Sequence, residues 1–406
     1  MPDFEFRQIE RPARGFSCVF EGHSELRSFR PGSIETEPRV ASDGRTSLLF
    51  CPFNSAETFV PSRPSACRIA HVEREIVRRL APPAWLERQT SRGIWMIYIS
   101  EEESAALVTH DLAFEAAQAA LVAATSPQGR VFPAILGRAR EVSNTFSIKA
   151  GSSDDLTGVK IGSFWSGNPA RGLPRHNSTI VLLDQQTGRL GAVIEAGKVN
   201  AYRTAAADAV AADLLARRNA KVLTIFGAGN QASFEVTALA RIRPIETVLV
   251  VARPSPRRDA FVNRIGELGL AAHAVSVEEA VRAADIVVTA TPSREPLFDA
   301  AWVKPGTHVV SMGSDAAGKH ELPSDLLSKA SLFCDLLSQS VQIGEFQHLR
   351  DAIDAGLLAV TPIGDVIEKR APGRRFEDEI TVFDSSGISL QDLYMAGALI
   401  RAKLRR

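Results

Sequence analysis

Residues 221–232 read KVLTIFGAGNQA: an apolar, branched run, then Gly227-Ala228-Gly229-Asn230-Gln231-Ala232, then a helical pattern. A G-x-G-x-x-A string alone is a weak signal. Here it follows a strand and opens a helix, which is the context a dinucleotide fingerprint requires. Gly227 permits a tight turn, Gly229 lets backbone approach a pyrophosphate, and Ala232 allows close helix–strand packing. The helix N-terminus then favours the anion. The competing reading is a glycine turn with no ligand.

Outward from this turn, strands and helices alternate. TVLVVA (247–252), AAHAV (271–275), DIVVTA (285–290), HVVSMG (308–313) and LFCD (332–335) are short apolar or β-branched runs. They are separated by helical stretches at 233–242, 257–268 and 276–284, the last opened by Ser276 with Glu279 three residues on, a capping-box pattern. This alternation predicts an α/β fold with a Rossmann-type doubly wound parallel sheet. At the end of the second strand stands Val251-Ala252-Arg253-Pro254-Ser255, with no carboxylate to accept from a ribose 2′-hydroxyl. Arg253 and Ser255, helped by Arg257 or Arg258, suit a 2′-phosphate, so NADP is favoured over NAD. A merely solvated Arg253 is the alternative.

Upstream, residues 180–196 read as two strands joined at Gln186-Thr187-Gly188, and NAYRTAAADAVAADLLARR (200–218) as an alanine-rich helix. MIYIS, from Met96, begins a strand that continues into one amphipathic helix through residue 125. The stretch GVKIGSFWSGNPARGLP (158–174) is rich in Gly, Asn and Pro and reads as loop and strand end. It places Lys160 between Val159 and Ile161, where a lysine ordinarily snorkels to solvent. Arg203, read as near a helix start, is disfavoured there by the helix dipole and calls for an anionic partner such as a substrate carboxylate. Asp315 follows an apolar strand and faces the crevice beyond the strands' carboxyl ends, unless it is only a turn or N-cap residue.

The bulk properties narrow the function classes. A chain of 406 residues implies two domains plus an extra segment. Lys+Arg and Asp+Glu number 47 each, so nothing suggests nucleic acid as a partner. Cys18, Cys51, Cys67 and Cys334 are scattered, without zinc or thiol-exchange spacing, and read as free thiols of a reducing compartment. No apolar run is long enough to span a membrane and no secretory signal opens the chain, so a cytoplasmic location is expected. Residues 1–93 are rich in Arg, Pro, Ser and Glu and form an extension of unknown role, in which SLLFCPF (47–53) suits strand and HVEREIVRRL (71–80) helix.

Taken together, GVK-x-GSFWSGNPARGLP, AYRTAAADAVAADLLA, FGAGNQA, SMGSDAAGKHEL and ITVFDSSGISLQDL resemble the ornithine cyclodeaminase and mu-crystallin family over residues 94–406. The resemblance implies a homodimer whose protomer has two domains. Residues 94–215, rejoined by 338–406, would form an α+β substrate and dimerisation domain, with the nucleotide domain at 216–337 inserted. It implies that Lys160 and Arg203 hold the α-carboxylate of an amino- or imino-acid substrate and that Asp315 exchanges a proton with its nitrogen. It further implies an arginine upstream of the lysine, for which Arg138 and Arg140 are the candidates, and adds Thr204 to the cofactor residues. FSIKAG, with Lys149, resembles the imine-reducing branch that contains iminosuccinate reductases more than the ornithine cyclodeaminases. Three functions follow: an NAD(P)-dependent imino-acid or ketimine reductase that also runs as an amino-acid dehydrogenase, an ornithine cyclodeaminase using bound NAD catalytically, and a non-catalytic NADP-binding protein.

Overall fold

A computed structural model describes residues 96–406. The expectations for SLLFCPF, HVEREIVRRL, Cys18, Cys51 and Cys67 lie outside the described residues. Cys334 is buried and free.

The first sheet contains β1 (Ile97–Ile99), β2 (Arg130–Val131), β3 (Ile135–Arg138), β4 (Thr145–Ser152), β5 (Thr157–Phe164), β6 (His176–Leu183) and β7 (Leu190–Glu195). Its order is β1-β7-β6-β5-β4-β2, with β3 also on β4; β1 pairs parallel to β7 and the other pairs are antiparallel. Side chains alternate across it. Lys160, Ile180, Leu182, Ala192 and Ile194 point to the buried face, while Val159, Ile161, Val181 and Val193 point outward and keep partial exposure. The segment read as loop around Lys160 is therefore a full eight-residue strand. Its glycines, which lower strand propensity, are tolerated because a side chain at Gly158 would strike the carbonyl of Val181.

Between the strands run α1 (Glu101–Leu107) and α2 (His110–Ala124), then α3 (Gly197–Leu215). The single helix expected after β1 is broken at Val108-Thr109, where the Thr109 hydroxyl accepts from the amide of Leu112 and starts α2.

The second sheet is wholly parallel. Its strands are β8 (Val222–Phe226), β9 (Thr247–Val251), β10 (Ala271–Ala274), β11 (Ile286–Thr289), β12 (His308–Ser311), β13 (Ser331–Cys334), β14 (Val360–Pro362) and β15 (Thr381–Asp384), ordered β10-β9-β8-β11-β12-β15-β13-β14. Helices α4 (Asn230–Ile242), α5 (Pro256–Glu267), α6 (Val277–Ala283), α7 (Ser324–Leu327), α8 (Leu337–Ile343), α9 (Arg350–Asp354) and α10 (Ile363–Ile367) accompany it. Ser276 caps α6 by accepting from the amide of Glu279. Successive residues of one strand join different cores: Leu223, Ile225 and Val288 lie in one apolar cluster, Phe226 and Val287 in another. Both faces of the sheet are thus covered, as a doubly wound α/β fold requires.

The return to the first sheet differs from the boundary expected at 338. Residues 360–384 supply β14 and β15 to the parallel sheet, and the final helix α11 (Ser389–Leu404) makes the return, packing on β4, β5, β6 and α2. The cause is visible in TVFD (381–384), which is fully buried and belongs between β12 and β13.

Candidate active site

At the carboxyl end of β8 the chain turns at Gly227, whose φ is 109° and whose amide donates to the carbonyl of Val251 at 2.9 Å. A Cβ there would lie 2.8 Å from the carbonyl oxygen of Ala290, so the backbone conformation and the close approach both demand glycine. Gly229 starts α4 with no side-chain cap, which leaves first-turn amides, including those of Asn230 and Gln231, to an external acceptor. Ala232 is fully buried against the sheet. Because β8 lies between β9 and β11, where the strand order reverses, this turn opens on the crevice at the topological switch point. The turn fits a dinucleotide pyrophosphate.

The remaining nucleotide candidates divide. Arg253 is exposed. The Ser255 hydroxyl caps α5, accepting from the amide of Arg258 at 3.3 Å. Arg257 reaches the turn itself, donating from Nε to the carbonyl of Ala228 at 3.1 Å. The Gln231 side chain is turned away from any ligand: its amide donates to the carbonyl of Ala201 at 3.1 Å and to Glu235 at 2.7 Å. Thr204 spends its hydroxyl on the carbonyl of Asn200 at 3.0 Å.

Beyond this crevice the structure gathers a buried cationic cluster. Lys149 and Lys160 are direct cross-strand partners on β4 and β5 and so share a face. Lys160 is 6% exposed; its Nζ donates to Asn200 Oδ1 at 2.5 Å and lies 3.1 Å from Asp392 Oδ1. Arg203 Nε stands 3.1 Å from the same Asp392 oxygen, and its other nitrogens donate to Asn200 and Gln391. Lys149 donates to the carbonyl of Gly387 at 2.7 Å. Two expectations are corrected here. Strand alternation drives Lys160 inward rather than letting it snorkel. Arg203 is the seventh residue of α3, past the first turn, and its anionic partner within the protein is Asp392.

Burial governs the electrostatics. It pulls the Lys160 ammonium down to about 7, with Asp392 opposing the fall. Lys149 is lowered by burial and then by the Arg203 charge. Burial pushes Asp392 up, but Lys160, Arg203 and Lys149 outweigh it and hold the carboxyl below its ordinary range. Asp392 Oδ2 and Gln391 Nε2 are buried without a hydrogen-bond partner.

Asp315, on the loop after β12, is exposed and ion-paired with Lys319. Its charge raises the proton affinity of both Lys149 and His176. Arg138, on β3, and Arg140, just past it, are exposed and make no hydrogen bond or ion pair with the cluster residues. Asp392, Asn200 and Gln391 were not singled out in the sequence. The available signal for Asp392 was a carboxylate inside SLQDLYMAGALI, a helical run that is buried throughout. Among the described residues no group of His, Cys, Asp and Glu suits a metal ion, and no helix is long and apolar enough to cross a membrane.

Comparison with known proteins agrees with this geometry. The family model described as ornithine cyclodeaminase/mu-crystallin matches residues 101–405. The iminosuccinate reductase of Paracoccus denitrificans is 36% identical over 311 residues, 75% of this chain and 96% of that protein. Its crystal structure in complex with NAD+ superposes with a TM-score of 0.70 over 76% of this chain and 97% of the other. The NADH and L-proline complex of Thermococcus litoralis Δ1-pyrroline-2-carboxylate reductase is 25% identical, with a TM-score of 0.69 over 76% and 98% of the two chains. With a family match spanning most of its length and a buried cationic cluster beside a dinucleotide turn, the chain belongs to the ornithine cyclodeaminase/mu-crystallin family.

Proposed function

We propose that this protein is an NAD(P)-dependent oxidoreductase that reduces small 2-imino acids to amino acids and runs the reverse oxidation. The observation that carries this reading is the buried Lys160–Arg203 pair joined through one oxygen of Asp392. Two cations held at fixed separation bind an α-carboxylate by charge-assisted hydrogen bonds and remove much of the orientational cost of placing the α-carbon. The nicotinamide supplies hydride. Asp315 delivers a proton to the imine nitrogen during reduction and takes one from the amine during oxidation. Imine, hydride and proton together give the amine, so the step balances.

The relatives named as imine reductases favour this over the cyclodeaminase and the non-catalytic readings. Lys149 favours a narrower substrate class: its partly buried ammonium has, among the described residues, only the Gly387 carbonyl as acceptor, and a second carboxylate, as in a 2-imino dicarboxylate, would compensate it. NADP is the preferred nucleotide in this proposal, supported by the acid-free end of β9 and by Arg253 and Arg257 flanking the turn. A homodimer is supported by the outward face of the first sheet, where Tyr98 and Ile161 are exposed beside Val181 and Val193.

The test is a screen of 2-keto acids with ammonia or methylamine against NADPH and NADH, following loss of reduced-nicotinamide absorbance. Net consumption supports the reductase. Conversion of ornithine to proline and ammonia without net consumption would transfer the protein to the cyclodeaminases, and preference for NADH would overturn the nucleotide assignment.

A further inference from the structure

Asp208 on α3 and Glu235 on α4 are both fully buried carboxyls that the reaction does not use. Neither Asp208 oxygen has a hydrogen-bond donor in good geometry, and Glu235 Oε2 also lacks one. The groups facing Asp208 are the Glu235 carboxyl, the Ser385 hydroxyl from the loop after β15, and Asp335 at the end of β13. Those facing Glu235 are Asp208, the Gln231 amide at 2.7 Å and, more distantly, Arg203. No Lys, Arg or His forms an ion pair with either acid among the described residues. Two unpaired carboxylates buried where α3 packs on α4 would repel strongly, so the pair is tenable uncharged, with both acids protonated.

The placement gives this proton a consequence. Helix α3 carries Asn200 and Arg203, and α4 begins at the nucleotide turn; Gln231 ties the two by bonding the Ala201 carbonyl of one and Glu235 of the other. We propose that Asp208 and Glu235 are positioning residues that join α3 to α4 through shared protons and keep negative charge away from the nucleotide turn. Geometry supports this and burial adds to it, since desolvation raises both acids, Glu235 to about 7.

Loss of the Glu235 proton places a charge five residues along α4 from Asn230. The rise is about 7.5 Å, and a unit charge about 10 Å from an anion, at an effective dielectric near 20, weakens binding about tenfold. Both carboxyls have raised values, so the neutral, joined state exists at lower pH and is lost as pH rises through about 7.

The inference rests on the nucleotide reading but not on the substrate reading, and it is tested by binding alone. NADH, whose phosphodiesters do not titrate near neutrality, is titrated by fluorescence without substrate on the wild-type chain, Glu235→Gln and Asp208→Asn at pH 6 and pH 8.5. Wild-type affinity is expected to fall about tenfold at the higher pH. Glu235→Gln carries no acid at position 235, and burial holds Asp208 protonated well above its ordinary range, so this variant should bind with the same affinity at both. In Asp208→Asn the asparagine amide donates to an ionised Glu235, so binding should already be weak at pH 6; this opposite signature stands if the first variant folds poorly. Lys160 titrates identically in wild type and Glu235→Gln, so equal pH slopes in those two overturn the proposal while leaving the oxidoreductase reading intact. Absence of binding by both NADH and NADPH to the wild type at either pH overturns both.

Discussion

Replacing Asp392 with Asn tests whether the cationic cluster works as a charge-balanced unit. Asp392 Oδ1 stands 3.1 Å from both Lys160 Nζ and Arg203 Nε, and all three groups are buried. Removing one partner of a buried ion pair costs about 3–5 kcal/mol. Part of that cost is avoided if Lys160 gives up its proton, and each 1.36 kcal/mol corresponds to about one pKa unit. In the wild type burial has already brought Lys160 to about 7. Without the carboxylate a further fall of about two units is expected, leaving roughly one lysine in a hundred charged at pH 7 where about half were before. If the charged form binds the substrate carboxylate, kcat/KM should drop about fiftyfold at pH 7 and recover toward pH 5. The assay is initial velocity at subsaturating imino acid across pH 5–9, with intact folding verified by circular dichroism at each pH. A wild-type profile that declines above about 7 and an Asp392→Asn profile displaced to lower pH fit the reasoning. Superimposable profiles refute it.

Asp315→Asn should lower turnover by about 10²–10⁴ while nucleotide affinity stays within error, and normal turnover would remove Asp315 from the reaction. Gly227→Ala forces a non-glycine φ of 109° and a 2.8 Å contact with the Ala290 carbonyl. A strain of about 1–3 kcal/mol should appear as a lower unfolding temperature and at least about tenfold weaker nucleotide binding, and an unchanged protein would contradict the turn geometry. Lys149→Met should lower kcat/KM for oxaloacetate with ammonia about a hundredfold while sparing pyruvate with ammonia, the loss of one charge-assisted contact. Equal effects on both keto acids would place Lys149 outside substrate selection.

The parallel sheet was legible because strands buried on both faces read as continuous apolar runs: KVLTIF, DIVVTA and HVVSMG all became strands where expected. The antiparallel strands β3, β4 and β5 were not, since Gly, Lys and Ser interrupt them and their strand character comes from cross-strand pairing rather than from composition. The same pairing decides the site. Nothing local says that Lys149 meets Lys160 across a sheet, or that Asp392 arrives from nearly two hundred residues beyond Arg203. Lys160, Arg203 and the glycine turn were identified individually from the family resemblance and the fingerprint. Their shared partner was invisible because it depends on where α11 docks. Arg138 illustrates the converse: it lies in the right part of the chain, yet the strand register leaves it exposed.

The central claim is that hydride passes from a nicotinamide to the α-carbon of a substrate whose carboxylate lies on Lys160 and Arg203. Its most direct test is mass spectrometry of the amino acid formed from a responsive keto acid, ammonia and reduced nucleotide deuterated on the transferred face of nicotinamide C4. The account requires the amino acid to carry that single deuteron at its α-carbon. An amino acid formed without the label, with the deuterium still on the nucleotide, would contradict it.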